Sequence, residues 1–376
     1  MDLDTAERRF SIVDCAISSP GEDQPWFTLG IRLHGKRFDI RVSPSNFRKS
    51  PCRTQELYNH LGFLMADDQD SVEYYDDQDQ SRDRSMDGIG YRFQGVTVYD
   101  CFAWAVDPCF DALERLAPPP PRSLKLTLNH FYATESFKCD LLAVGDRLFP
   151  GSVEPRQNRL EDPIHQTEHL DSALPWTTTS FPFFRPEDVQ VIHNFDSGPH
   201  EIFDSDPERV RVGRKDLFFK ALDPDNSHLD LIVRREIAVY EKIAANPNLA
   251  GLRISRLYGL VCNERNQLMG LLLHLIDTET PLSCAVGPDT PQTAKDRWSR
   301  QIRTTVAAFH EAGIVWGDAH PGNILIDDHL DAWIVDFGGG WTEGWVDRDK
   351  AETREGDLQG IERILEFIQT GVGVEL

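Results

Sequence analysis

The chain is poor in positive charge: 39 Lys and Arg stand against 62 Asp and Glu, a formal net charge of −23 over 376 residues. Nucleic acid and anionic membrane surfaces reward clustered cations, so neither is expected as a partner. There is no run of about 18 apolar residues, the length that a membrane-spanning helix requires. The start, Met1-Asp2-Leu3-Asp4-Thr5, lacks the basic flank and apolar stretch of a secretion leader. An intracellular location, cytoplasmic or nuclear, is the expectation. The seven cysteines (15, 52, 101, 109, 139, 262 and 284) are odd in number and contain no C-x-x-C pair. That pattern excludes a disulfide framework and points to free thiols without zinc. Apolar residues, at 40% of the chain, are ample for real cores, and the length suits two domains.

Strand patterns open the chain. Phe10 to Ile17, Trp26 to Leu33 and Arg37 to Val42 are broken by Ser-Ser-Pro-Gly and by a His34-Gly35 turn. Ile31, Leu33, Phe38, Ile40 and Val42 alternate with polar residues, as one buried face of an antiparallel sheet does. Thr54 to Met65 fits a short helix. Residues 67 to 87 carry nine acids and too little apolar surface to offset their ordering entropy, which predicts a disordered insert or a docking site for a basic partner. Tyr91 to Val98 and Leu124 to Leu128 read as strands, and Cys109 to Leu116 as a helix ended by the prolines 118 to 121. Residues 1–150 are thus expected to form a β-rich accessory domain with the acidic insert 67–87. Residues 151–186, rich in Pro, Ser, Thr and charge, are expected to be a linker.

The chemistry gathers between Gly313 and Gly340. Asp318 is followed five positions later by Asn323, and thirteen after that by Asp336 in an Asp-Phe-Gly triplet. Ile324-Leu325-Ile326 and Trp333-Ile334-Val335 are short β-favouring runs around a turn at Asp327 to Asp331, so a hairpin is predicted. It would hold Asp318 and Asn323 at its entrance and Asp336 at its exit. Phosphoryl transfer needs a group to orient the acceptor hydroxyl and oxygen ligands for Mg²⁺, and two carboxylates with one amide meet that need.

These residues resemble the catalytic core of the protein-kinase-like superfamily, whose signature is Asp-x-x-x-x-Asn followed by D-F-G. The wording Gly317-Asp318-Ala319-His320-Pro321-Gly322-Asn323 is similar to that of aminoglycoside and choline phosphotransferases, with Trp316 where both groups usually place a histidine. The run Asp336 to Asp347 is similar to one in atypical kinase-like proteins of fungi. The resemblance covers residues 187–376 and implies an α+β chain with a compact two-lobed kinase-like domain. It makes Asp318 the catalytic base, and Asn323 and Asp336 the Mg²⁺ ligands.

Other parts of the resemblance follow in order. Asp188 to His193, Arg209 to Gly213 and Asp216 to Leu222 resemble the first three strands. Lys220 stands in the third, as an ordinary snorkelling edge lysine or as the lysine that grips the α and β phosphates. Ser227 and Asp230 form a capping box for a helix reaching Ala245. On it, Glu236 is the chosen ion-pair partner of Lys220 and Glu241 the competitor. Arg256 to Cys262 and Gln267 to Leu273 read as a strand pair, followed by His274-Leu275-Ile276 as the hinge offering backbone groups to adenine. Thr293 to Ala312 is a helix ended by Gly313. Asp357 opens a last helix that buries Ile361, Ile364, Leu365 and Ile368.

Two pieces of the family pattern are missing. No G-x-G-x-x-G occurs between residues 188 and 220, so a phosphate cover would have to come from Asn194 to Asp206. No A-P-E sequence follows Asp336-Phe337-Gly338, and the helices that bind peptide substrates are expected to be absent. The resemblance implies ATP and Mg²⁺ as cofactors and transfer of the γ-phosphate to a hydroxyl of a protein or small molecule. The alternative is a catalytically silent pseudokinase used as an interaction scaffold.

Overall fold

The computed structural model describes residues 9–18, 24–47, 50–72, 98–121, 123–132, 135–156, 179–193, 203, 206–222, 229–278 and 280–371. Contacts divide the chain into two units, Met1–Arg159 with Ile192–Asp206, and Leu160–Val191 with Pro207–Leu376. Each mixes helix and sheet, which makes the chain α+β.

In the first unit, β1 (Ser11–Ile17), β2 (Phe27–Leu33) and β3 (Lys36–Val42) form an antiparallel meander. Leu33 pairs with Lys36 across a two-residue turn whose residues, His34 and Gly35, both have positive φ. Such a turn matches the right-handed twist of the strands it joins. Helices α1 (Pro51–Val72), α2 (Val98–Val106), α3 (Phe110–Leu116) and α4 (Leu128–Tyr132) precede β4 (Ser136–Val144), which runs parallel to β3. A parallel neighbour requires a long crossover, and the helices supply it. The strands β5 (Arg147–Pro150) and β6 (Glu154–Pro155) both pair with β4. Phe27, Leu29, Ile31, Leu33, Phe38 and Ile40 of the sheet share one buried cluster with Leu57, Phe102 and Leu113 of the helices. Each such side chain contributes about 1.5–3 kcal/mol relative to exposure.

The second unit starts with β7 (Phe183–Phe184), β8 (Gln190–Val191), β9 (Arg209–Val212) and β10 (Lys215–Ala221). Helix α5 (Leu229–Ala245) leads to β11 (Leu257–Cys262) and β12 (Leu268–His274). These strands make a six-stranded sheet in the order β7-β11-β12-β10-β9-β8, antiparallel except for β7 on β11. Then come β13 (Thr280–Pro281), α6 (Leu282–Ala285), α7 (Gln292–Glu311), β14 (Ile324–Ile326), β15 (Ala332–Ile334) and α8 (Arg354–Thr370). In α7, Trp298, Ile302, Val306 and Phe309 recur at helical spacing and are buried. Thr353 caps α8 by accepting from the Gly356 N–H at 3.0 Å, and Gly371, with φ of 70°, ends it. Ile361, Ile364, Leu365 and Ile368 join α7 in one core. No helix among the described residues is long and apolar enough to cross a membrane.

Several expectations need correction. The first unit is not simply β-rich, since helices α1, α2 and α3 share one core with its sheet. Val98 opens α2 instead of ending a strand, and residues 91–97 lie outside the described residues. Leu126 and Leu128 are buried, yet Leu124 to Leu128 is no strand and Leu128 begins α4. The helix read at Thr54 to Met65 runs from Pro51 to Val72 and takes in the first residues of the acidic insert; residues 73–87 lie outside the described ones. The stretch 151–186 contains ordered pairing at both ends, Glu154–Pro155 on β4 and Phe183–Phe184 on β11, while 157–178 lie outside the described residues. Asp188 to His193 reduces to the two-residue β8 after a 3₁₀ turn at Pro186–Asp188. Ser227 lies outside the described residues, as does the Asp230 side chain.

Of the segment expected to cover phosphates, Phe203 and Asp206 are described. Ile192–Asp206 goes with the first unit. There Phe203 is buried with its ring 4.8 Å from that of Phe131, and its carbonyl accepts from Arg32 at 3.1 Å. Residues 194–202, 204 and 205 lie outside the described residues.

Candidate active site

The predicted hairpin is present. Ile324, Leu325 and Ile326 pair with Ile334, Trp333 and Ala332. Asp327 shapes the turn: one carboxylate oxygen accepts from the N–H groups of His329 (2.9 Å) and Asp331 (2.8 Å), the other from the Trp333 indole (2.8 Å). The Val335 N–H donates to the Asn323 carbonyl at 3.0 Å, so the residue before Asp336 is zipped to the end of the Asp318–Asn323 loop. The Asn323 side-chain nitrogen donates to the Asp318 carbonyl at 3.1 Å, which leaves its amide oxygen as an acceptor.

Behind this loop stands Asp357. Its carboxylate accepts from the N–H groups of Trp316 (2.9 Å) and Gly317 (2.8 Å) and from His310 Nε2 (2.8 Å). Trp316 is fully buried, and its indole N–H is shared between the carbonyls of Val335 and Asp336, each at 3.1 Å. One tryptophan therefore ties the residues ahead of Asp318 to those around Asp336. Phe337 packs edge-on to Tyr240 of α5 and Phe309 of α7, at 5.3 and 5.6 Å between centroids.

Lys220, on β10, reaches Glu236 of α5 at 3.0 Å and Asp336 at 2.9 Å. Glu236 is 1% exposed. Burial lowers the Lys220 pKa, but the charges of Glu236 and Asp336 outweigh it and hold the ammonium above its ordinary value. Burial pushes Asp336 up, and Lys220 pulls it below the usual carboxylate range. Glu236 is pushed up by burial, with Lys220 pulling the other way. Asp336 has φ of 57°, a left-handed conformation rarely adopted by residues other than Gly, Asn and Asp. Its Oδ1 also accepts from the Gly338 N–H at 3.1 Å.

These groups wall a cavity of about 570 Å³. Lys220, Glu236 and Asp336 stand in its lining, as do His274, Leu275 and Ile276, the residues expected to form a hinge. Phe218, Leu273, Leu325 and Val335 supply apolar surface, while Glu208, Asp277 and Asp328 add carboxylates. Asp318 and Asn323 do not line it. They lie next to it through the contacts already given, and the Asp336 charge is felt at Asp318.

Asp318 is itself enclosed. Its Oδ2 accepts from the Thr342 hydroxyl at 3.1 Å and lies 3.7 Å from His320 Nε2, whereas its buried Oδ1 has no hydrogen-bond partner. Burial pushes its carboxyl above the usual range, opposed by His320 and Thr342. Neither Thr342 nor His320 stood out in the sequence. The signal for Thr342 was its place in the Asp336 to Asp347 run, and for His320 its position two residues after Asp318.

The donor set fits magnesium. The cation takes one or two carboxylates, keeps several waters and shares phosphate oxygens, and it needs no protein cage. One carboxylate at Asp336 and one amide oxygen at Asn323 match that habit. Among the described residues no group of three or more His, Cys, Asp or Glu side chains could hold a metal ion. No family model and no curated protein matches the chain.

Proposed function

We propose that the second unit is a two-lobed, protein-kinase-like phosphotransferase that moves the γ-phosphate of ATP to a hydroxyl of a protein or small-molecule acceptor. The observation that carries this reading is the Lys220 ammonium held between Glu236 and Asp336 on the wall of a cavity of nucleotide size. Six-stranded sheet and helices α7 and α8 would be the cores of the two lobes, joined at His274, Leu275 and Ile276. Adenine would sit between Phe218 and Leu325, against backbone groups of that joint.

Lys220, positioned by Glu236, would neutralise the α and β phosphates. Asp336 and Asn323 would hold Mg²⁺, which when bound supplies charge stabilisation to the transferring phosphoryl group. Asp318, beside the cavity, would orient the attacking hydroxyl and accept its proton. Burial favours this role because it raises the basicity of the carboxylate.

The experiment is thermal stabilisation by ATP with and without Mg²⁺, with Asp336→Ala as control, followed by turnover of Asp318→Asn. A magnesium-dependent rise in the midpoint, lost in Asp336→Ala, is expected; at a hundredfold excess over Kd it corresponds to about 2.7 kcal/mol. Asp318→Asn should bind MgATP and fail to turn it over. A second reading, a silent scaffold, is favoured by the five carboxylates that line the cavity, Glu208, Glu236, Asp277, Asp328 and Asp336, against the two cations Arg209 and Lys220. No shift at millimolar ATP would make it the leading account.

A further inference from the structure

Arg235 neighbours Glu236 on α5, and its guanidinium reaches a place where three distant backbone segments meet. Its Nη1 pairs with Glu352 Oε1 at 2.6 Å. A Cβ added at Gly317 would collide with Arg235 Nη2, and one at Gly339 with Nη1. Both glycines have left-handed backbone, with φ of 98° and 79°. The flat guanidinium therefore lies against two bare backbones, one just ahead of Asp318 and the other three residues after Asp336. Glu352, which also has positive φ (57°), donates its N–H to the Gly317 carbonyl at 3.3 Å. The glycines at 317 and 339 are thus explained by the arginine they accommodate.

We infer that Arg235 is a positioning residue: it fixes the Asp318 loop and the segment after Asp336 to α5 through one guanidinium, with Glu352 as its counter-charge. The inference rests on the phosphotransfer reading for its catalytic consequence. Glu236 sets Lys220, and Arg235, one residue earlier, sets Gly317 and Gly339. A movement of α5 then carries the phosphate-binding lysine, the base and the metal ligand together. Lysine cannot replace the arginine, because a single ammonium lacks the planar fork that spans two backbones and a carboxylate. Neither Glu352 nor Arg235 touches a reacting atom, so their loss acts on the placement of others.

The test uses the full chain with Arg235→Ala, Arg235→Lys, Glu352→Gln and the Arg235→Ala/Glu352→Gln double variant. Amide exchange is read without nucleotide in residues 314–323 and 336–342, and MgATP turnover is read for kcat and KM. Exchange should rise in both segments of Arg235→Ala while α7 stays protected. Turnover should fall about tenfold or more in kcat, with KM for ATP changed less than about twofold, the mark of an interaction that acts on the reaction geometry and not on binding. Arg235→Lys should not restore it. Glu352→Gln, half-exposed and tolerant of folding, should move both readouts in the same direction, and the double variant should be no worse than Arg235→Ala because the two groups act as one unit.

The failures are separable. Turnover in the unmodified chain that survives in Arg235→Ala overturns the Arg235 role, as does additive loss in the double variant. An unmodified chain without MgATP turnover overturns the phosphotransfer reading, and the exchange measurement then decides alone: unchanged exchange in the two segments of Arg235→Ala refutes the clamp, raised exchange upholds it.

Discussion

Asp357→Asn is the most informative single change to the framework. The carboxylate is buried and accepts three hydrogen bonds, from Trp316, Gly317 and His310. Asparagine keeps the size and shape but replaces one oxygen with an NH₂ group. If the amide oxygen takes the Oδ2 position, it keeps His310 and Trp316 while the NH₂ faces the Gly317 N–H; the opposite rotamer loses two bonds. At least one donor is stranded in the interior, which costs about 1–3 kcal/mol, and the surviving bonds lose their charge assistance. In a unit of this size about 2 kcal/mol lowers the unfolding midpoint by about 5 °C. Thermal unfolding measures the total, and amide exchange at Trp316 and Gly317 locates it. A midpoint within about 1 °C of the parent, with both amides still protected, would refute the assignment of Asp357 as the brace of the Asp318 loop.

Thr342→Val removes the hydroxyl donor from Asp318 Oδ2 and should lower kcat about tenfold, equivalent to about 1.4 kcal/mol; Thr342→Ser should restore it, and an unchanged Val variant would show the contact to be idle. Asp331 is pushed up by burial, but Gln301, Arg253 and Arg297 outweigh this and hold it below the usual carboxylate range. Its depressed pKa means that the stabilisation is present above the ordinary carboxylate value of about 4 and is lost as the pH falls through the lower folded value. Asp331→Asn should therefore be less stable than the parent by about 1–3 kcal/mol near neutrality, with the gap closing in acid; a gap of constant size down to about pH 2 contradicts the ion-pair account. Cys52 and Cys284 are exposed and should react with a thiol reagent in the folded protein, whereas burial pushes Cys101 and Cys262 up to about 11 and should protect them until unfolding. Rapid labelling of Cys101 without denaturant would show that the first core opens.

Legibility in the sequence followed the range of the interactions. The β14–β15 hairpin, α7 and α8 could be read because period, cap and turn residues lie within a few positions of one another. The choice between Glu236 and Glu241 needed the helix register: five residues turn the chain by about 140°, and only Glu236 faces Lys220. The parallel pairing of β3 with β4 was out of reach, since its partners stand about a hundred residues apart and nothing local announces them. Leu124 to Leu128 misled because alternation reports burial, and Leu126 and Leu128 are buried at the entrance of a helix, not along a strand. Phe183–Phe184 passed as linker because a two-residue strand has no periodicity to read. At the site, Asp318, Asn323 and Asp336 were visible through fixed spacing, whereas Thr342 and Arg235 act across loops whose path only three dimensions give.

The chain passes between its two units three times, after Arg159, after Val191 and after Asp206. A single break in the backbone at the first junction therefore does not sort the residues into one unit per fragment. Fragment 160–376 would keep the stretch that carries Phe203, and the first unit would then be assembled from two polypeptides, with that ring as the plug against Phe131. For a gene the same fact has a different form: no single crossover can trade one unit for a foreign counterpart and leave the other whole.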